Sequence, residues 1–250
     1  MERTFMRSNE MADLVYHKVM QDLKARISRD EFPNNRLPDE RSLSEAYGVS
    51  RSSIKRALAL LADQGIIFKK RGSGTFVNPL YMKSKTIFHY DGSNIGITDS
   101  MESKGRTPQI KLLDLRVIPA SKELQQDLFL SEDDFVYEIK RLRSFGDQPF
   151  MIETGYIPIQ ITPKLTKQVV AGSIFNYLER EIGKTVTRSF MSIMAEPSTK
   201  EDQQLLGLKP TEPVGIMEGI FFLDDGTPFE VSNMRLHYQY LKYNTFVQIN

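Results

Sequence analysis

At 250 residues, with 40% hydrophobic and 26% charged side chains, the chain has the makeup of a globular protein of one large or two ordinary domains. It has no cysteine, which excludes a disulfide framework, a zinc–thiolate site and a cysteine nucleophile. No apolar run nears the roughly 18 residues of a membrane span, and the polar start MERTFMRSNE does not fit a signal peptide, so the expected location is the cytoplasm. The net charge of +1 hides an asymmetry: residues 1–78 hold fourteen Lys/Arg against ten Asp/Glu, residues 79–250 nineteen against twenty-two.

Leu14, Val15, Val19, Leu23 and Ile27 recur at helical spacing and predict a first helix over 12–29, broken by Phe32-Pro33-Asn34-Asn35. Leu43, Ala46, Tyr47 and Val49, then Ile54, Ala57, Leu58 and Leu61, mark one buried face on each of two further helices. Between them, Gly48 suits a left-handed helix end and Ser50 a cap for the next helix. The pair reads as a helix-turn-helix, whose second helix can enter a DNA major groove. Its start, Ser50, Arg51, Ser52, Ser53, Lys55 and Arg56, supplies hydroxyls and cations for phosphates and base edges. Ile66-Ile67-Phe68 and Thr75-Phe76-Val77 flank the basic tip Lys69–Gly74 and predict a hairpin, the wing of a winged helix.

From Asn78 to about Asn94 no period is sustained, which marks a linker. Beyond it the expected elements are a strand over 109–118, a helix over 121–128, and a hairpin of 135–145 with 150–157. There follow a helix over 173–182, a strand over 184–196, a helix over 198–206, a hairpin of 214–223 with 228–236, and a last strand over 244–249. The fold class is α+β, with a mostly antiparallel sheet. The two hairpins, LRSFGDQPFMIE and FFLDDGTPFEVS, suggest a weak internal repeat.

LPDERSLSEAYGVSRSSIKRALALLADQG followed by KKRGSGTFV resembles the DNA-binding domain of the GntR family of bacterial transcription regulators. The resemblance implies DNA contacts from Arg41, from Ser50, Arg51, Ser52 and Lys55, and from Arg71 and Gly72 at the wing tip. Lys55 stands where many relatives carry arginine. MESKGRTPQIKLLDLRVIPAS, DFVYEIKRLRSFGDQPFMIETGYIP, SIFNYLE and EGIFFLDDGTPFEVSNM, in that order, resemble the UTRA effector domain of the HutC subfamily, which has a chorismate-lyase-like fold. The implied organisation is a winged helix over 1–78, a linker over 79–93 and an effector-binding, dimerising domain over 94–250. The implied protein is a homodimeric, ligand-responsive repressor on a pseudo-palindromic operator, without a cofactor.

Arg141 and Arg143, two apart on a strand, project to one face, where a shared anion would relieve their repulsion. Glu153 on the partner strand and Glu230, at the equivalent place in the second hairpin, are candidates for sugar hydroxyls or an amine. The bland alternative is a pair of exposed arginines facing Glu138 or Asp147. Sugar-phosphate-binding members of the subfamily use the positions of Thr98, Arg141, Arg143, Glu153, Ser173 and Glu230, and Thr98 is also placed to cap a helix beginning near Asp99. Phe175 and Leu236 replace tyrosines of those relatives, which weighs against an amino-sugar phosphate. Another phosphorylated sugar is the first expectation and a carboxylate the second.

An enzyme built on a chorismate-lyase-like pocket and an architectural DNA-binding protein are the rival classes. His17, His89 and His237 are scattered without metal-ligand spacing, and Asp133-Asp134 and Asp224-Asp225-Gly226 read as turns. No phosphate-loop or nucleophile-elbow motif occurs. A small molecule that releases DNA unchanged would single out the regulator.

Overall fold

The computed structural model describes residues 2–82, 97–102 and 107–243. These divide into two compact units, one holding the described residues up to Met82 together with Tyr243 and one within Asn94–Lys242, so the second unit ends at Lys242 rather than at 250.

In the first unit, helix α1 spans Glu2–Ser28, starting at Glu2 rather than Ala12. The segment MERTFMRSNEM lacks an apolar period, but it also lacks glycine and proline, and nothing in its backbone chemistry stops a helix. α2 (Glu40–Tyr47) and α3 (Arg51–Asp63) form the expected helix-turn-helix. Asp39 caps α2 by accepting the Ser42 N–H at 2.8 Å, and Gly48 ends it at φ 62°. Ser50 caps α3 by accepting the Ser53 N–H at 3.2 Å. Tyr16, Val19, Met20, Leu23 and Ile27 of α1 are buried with Leu43 of α2 and Ile54, Ala57, Leu58 and Leu61 of α3. At about 1.5–3 kcal/mol for each large apolar side chain removed from water, this cluster outweighs the surface polar contacts. Ala46, expected on the buried face, is exposed. The physical reason is Tyr47, whose hydroxyl is held by Asp22 and Arg26 of α1, turning Ala46 outward.

The wing is β1 (Ile67–Lys70) paired antiparallel with β2 (Gly74–Val77). Arg36 forms a single bridge to Phe76, and the Leu37 N–H donates to the Thr75 carbonyl at 2.9 Å, tying the wing to the segment ahead of α2. Residues 79–82, read as linker, form a helical turn, α4 (Pro79–Met82), with Tyr81 and Met82 packed on the first core. The rest of the linker and the strand predicted over 244–249 lie outside the described residues.

The second unit holds α5 (Ile97–Glu102), β3 (Gln109–Pro119), α6 (Lys122–Leu128), β4 (Phe135–Phe145) and β5 (Gln148–Pro158). It continues with α7 (Lys167–Val170), α8 (Ile174–Tyr177), β6 (Val186–Pro197), α9 (Lys200–Leu206), β7 (Pro213–Leu223) and β8 (Pro228–His237). The strands form one antiparallel sheet in the order β3-β4-β5-β8-β7-β6. One face packs on Leu124 and Leu128 of α6 and on Leu205 and Leu206 of α9. The other packs on Val170, Ile174 and Leu178. The helix predicted over 173–182 is α8 followed by a π-helical turn at Leu178–Ile182. α7, four residues long, is too short to show a period in sequence.

Candidate DNA interface and effector site

On α3 the buried stripe leaves Arg51, Ser52 and Lys55 together on the exposed side, one helical turn deep, with the exposed Ser50 cap at its start. Ser50 Oγ lies 2.8 Å from Ser52 Oγ and 2.9 Å from Ser53 Oγ, so the cap already holds a hydroxyl cluster. Arg56 is turned the other way: its guanidinium carbon sits 4.0 Å from the centroid of the Tyr16 ring and braces α1. Arg41, Arg71 and Gly72 line a separate cleft of about 950 Å³ between α2 and the wing. Arg41 Nε donates to Glu45 Oε1 at 2.9 Å, an exposed i,i+4 pair that a phosphate can displace at little cost. Lys69 Nζ reaches Glu40 Oε1 at 2.8 Å and links wing to α2. Arg36 was missed by sequence reading. It lines the same cleft, with its guanidinium over Phe76 and against Gly74.

In the second unit, Arg141, Arg143, Glu153 and Glu230 are 4, 3, 5 and 3% exposed, so the alternative of a solvated arginine pair is overturned. Glu138 instead pairs with Arg116 and accepts from the Tyr156 hydroxyl. Arg141 stands opposite Glu153 across β4 and β5. Both guanidiniums converge on one oxygen, Glu153 Oε2: Arg141 Nη2 at 2.8 Å, Arg143 Nη2 at 2.9 Å and Arg143 Nε at 3.0 Å. Glu153 Oε2 is thus taken up by the two arginines. Arg143 Nη1 donates to Thr98 Oγ1 at 3.0 Å. Thr98 lies inside the first turn of α5 rather than capping it, because the helix begins at Ile97. Arg141 Nη1 donates to the Val170 and Gly172 carbonyls at 3.2 and 3.1 Å. Ser173, next in the chain, caps α8 by accepting the Asn176 N–H. The Arg141 Nε, which shares a fork edge with Nη2, is buried without a hydrogen-bond partner among the described residues.

Glu230 is not at the equivalent of Glu153. Glu153 pairs with Met234, four residues further along β8, while Glu230 stands opposite Phe221. Its carboxyl reaches back over Gly155, where a Cβ would lie 2.3 Å from Glu230 Oε1. Gly155, Ser232 and Gly219 form one row across β5, β8 and β7, leaving little side chain over the sheet centre. Ser232 Oγ in that row is buried without a hydrogen-bond partner among the described residues, a site residue that sequence reading missed. Its signal is a serine flanked across the sheet by two glycines, visible only once the register is known. Burial first, then the negative Glu153, pushes the Glu230 carboxyl up to about 8 against the two arginines. Burial also pushes Glu153 up, but Arg141 and Arg143 outweigh it and hold that carboxyl below its usual range. Near neutral pH the cluster is therefore two cations, one anion and one uncharged acid. Its surplus positive charge suits an anion.

Phe175 and Leu236 add no polar group. Phe175 packs edge-on to Phe221 and Phe229, at 5.4 and 6.1 Å between ring centroids, and Leu236 is fully buried on β8 opposite Met151 and Gly215.

Residues 15–77 match the gntR family of bacterial regulatory proteins, and residues 103–242 match the UTRA domain. The HTH-type transcriptional repressor NagR of Bacillus subtilis is 30% identical over 86% of this chain and 87% of its own length. The mannosyl-D-glycerate transport/metabolism system repressor MngR of Escherichia coli is 28% identical over 94% of this chain and 96% of its own. The solved structure of YydK from Bacillus subtilis covers 94% of this chain and 99% of its own at a TM-score of 0.74 and 26% identity. The full-length correspondence is with regulators rather than enzymes, and the winged helix and sheet domain occur in the order those regulators have. The chain belongs to the gntR family: it is a DNA-binding transcription regulator with a UTRA effector domain.

Proposed function

We propose that the protein is a cytoplasmic repressor of sugar uptake or catabolism genes, released from its operator by a phosphorylated sugar. Residues 1–78 read the operator and residues 94–250 bind the effector and join two copies. Arg41, Ser50, Arg51, Ser52, Lys55, Arg71 and Gly72 contact DNA, and the two-fold symmetry of a homodimer maps onto a pseudo-palindrome. The observation that carries the effector reading is the buried Arg141–Arg143–Glu153 cluster beside an uncharged Glu230, with one Arg141 fork position open. A phosphate oxygen at Arg141 Nε would complete that fork, and Ser232 Oγ and Glu230 offer donors for further ligand oxygens. Thr98 and Ser173 border the same ground. A carboxylate effector is the second reading: a guanidinium fork fits it equally, and the relative MngR represses a system named for mannosyl-D-glycerate, whose glycerate is a carboxylate.

Calorimetry with sugar phosphates, their unphosphorylated parents and sugar acids tests this. A charge-assisted hydrogen bond is worth about 1.5–3 kcal/mol, so Arg141→Ala should weaken binding by about ten- to a hundred-fold. Arg141→Lys, which keeps the charge but loses the fork, should lie between. A parent sugar that binds as well as its phosphate, or an Arg141→Ala protein that binds as the wild type does, sinks the anion site. Tighter binding of a sugar acid than of any phosphate selects the second reading.

A further inference from the structure

Arg36 lies outside both the helix-turn-helix and the wing tip, yet the fold brings it into the cleft between α2 and the wing. Its backbone bridges Phe76 of β2, and Phe76 stands opposite Phe68 of β1. Directly opposed residues share a face, so Phe68, Phe76 and Arg36 form one row across the wing. The two rings stack at 5.9 Å between centroids, and the Arg36 guanidinium carbon lies 5.9 Å from the centroid of Phe76. A Cβ at Gly74 would come within 3.2 Å of Arg36 Nε and 3.4 Å of its Nη2. The missing side chain at Gly74 leaves the place that the guanidinium takes, and ring and glycine together fix its aim.

What the guanidinium lacks is an acid. Asp39 is occupied in capping α2, and Glu40 holds Lys69 across the cleft. Among the described residues the exposed Arg36 makes no ion pair and no side-chain hydrogen bond. Its charge is not needed to hold the wing in place, because the backbone bridge to Phe76 and the Leu37 N–H on the Thr75 carbonyl already do so. An unpaired cation, aimed by its neighbours into a cleft that Arg41 and Arg71 also line, suits an oxyanion brought from outside. We propose that Arg36 binds a phosphate of the DNA backbone where the duplex passes the wing. This adds a grip from the segment ahead of α2 to the contacts of the recognition helix and the wing tip. Such a contact fixes the position of the protein on the duplex and reads no base.

Because a phosphate contact carries no sequence information, the test needs no operator. Fluorescence anisotropy follows the full-length chain on a short random-sequence DNA duplex over a range of salt concentrations. Each phosphate that a cation neutralises adds about 0.9 to the steepness of log affinity against log salt. Arg36→Gln keeps a planar end group over Phe76 but loses the charge. It should flatten that slope by about one for each bound wing and weaken binding about ten-fold at the lowest salt. Arg36→Lys, which keeps the charge without the planar fork, should hold the slope and lose less affinity. Arg71→Gln at the wing tip should flatten the slope as well. Wild-type slope and affinity in Arg36→Gln, with Arg71→Gln flattened, removes Arg36 from DNA and leaves the wing on it. An equal loss of affinity at every salt concentration, with the slope unchanged, overturns the phosphate contact and makes Arg36 a brace for the wing. An unchanged slope in both Arg36→Gln and Arg71→Gln overturns the wing interface together with the contact.

Discussion

Glu230 sets the charge of the effector cluster, and its protonation has a measurable signature. Burial lifts its carboxyl from the ordinary 4.5 to about 8, so between those values the folded chain holds a proton that the unfolded chain has released. Its contribution to stability is full below about pH 4.5, declines as pH rises to about 8, and is constant above. Glu153 runs the other way: held below 4.5 by the arginines, it stabilises above pH 4.5 and fails as acid protonates it. Glu230→Gln, uncharged throughout, should flatten the decline, so that its urea midpoint changes less than the wild type's between pH 5 and 9. Parallel pH curves for the two proteins would contradict an uncharged Glu230. The pairing of Arg141 and Arg143 on one face was legible because alternation on a strand is a local rule. The protonated acid, the shared Glu153 oxygen and the unpartnered Ser232 hydroxyl were not. They depend on burial and on a register between strands far apart in sequence.

Among the elements, the turn between α2 and α3 was the most legible part of the chain. Gly48 and Ser50 act on their own neighbours, so their chemistry predicts the structure without knowledge of the core. The long α1 and the turn at Leu178–Ile182 were not legible, because no side-chain period marks the first and tertiary packing decides the second. Ser50 also separates two roles. Ser50→Ala removes the cap and should cost about 1 kcal/mol of stability. Ser50→Asp keeps the cap but brings a negative charge toward the phosphates, so thermal stability should hold while operator affinity falls, most steeply at low salt. Unchanged affinity of Ser50→Asp at low salt would place Ser50 away from DNA.

At the scale of the whole molecule, an effector shifts DNA binding only by as much as it prefers one state over another. The place to look for that preference is the double grip of Arg141. Its guanidinium holds Glu153 on the sheet with one nitrogen and the carbonyls of Val170 and Gly172 with another. An anion bound side-on at Nε leaves the carbonyl bonds in place and pins the side chain at a third point. The segment 170–174 is then a reporter whose motion should quieten as the site fills. Amide hydrogen exchange at Ala171–Ile174 should slow with added effector and stay unchanged in Arg141→Ala at the same concentration. Faster exchange on binding would mean that the anion takes the guanidinium away from the turn. Ligand chemistry and backbone opening would then be coupled with the opposite sign.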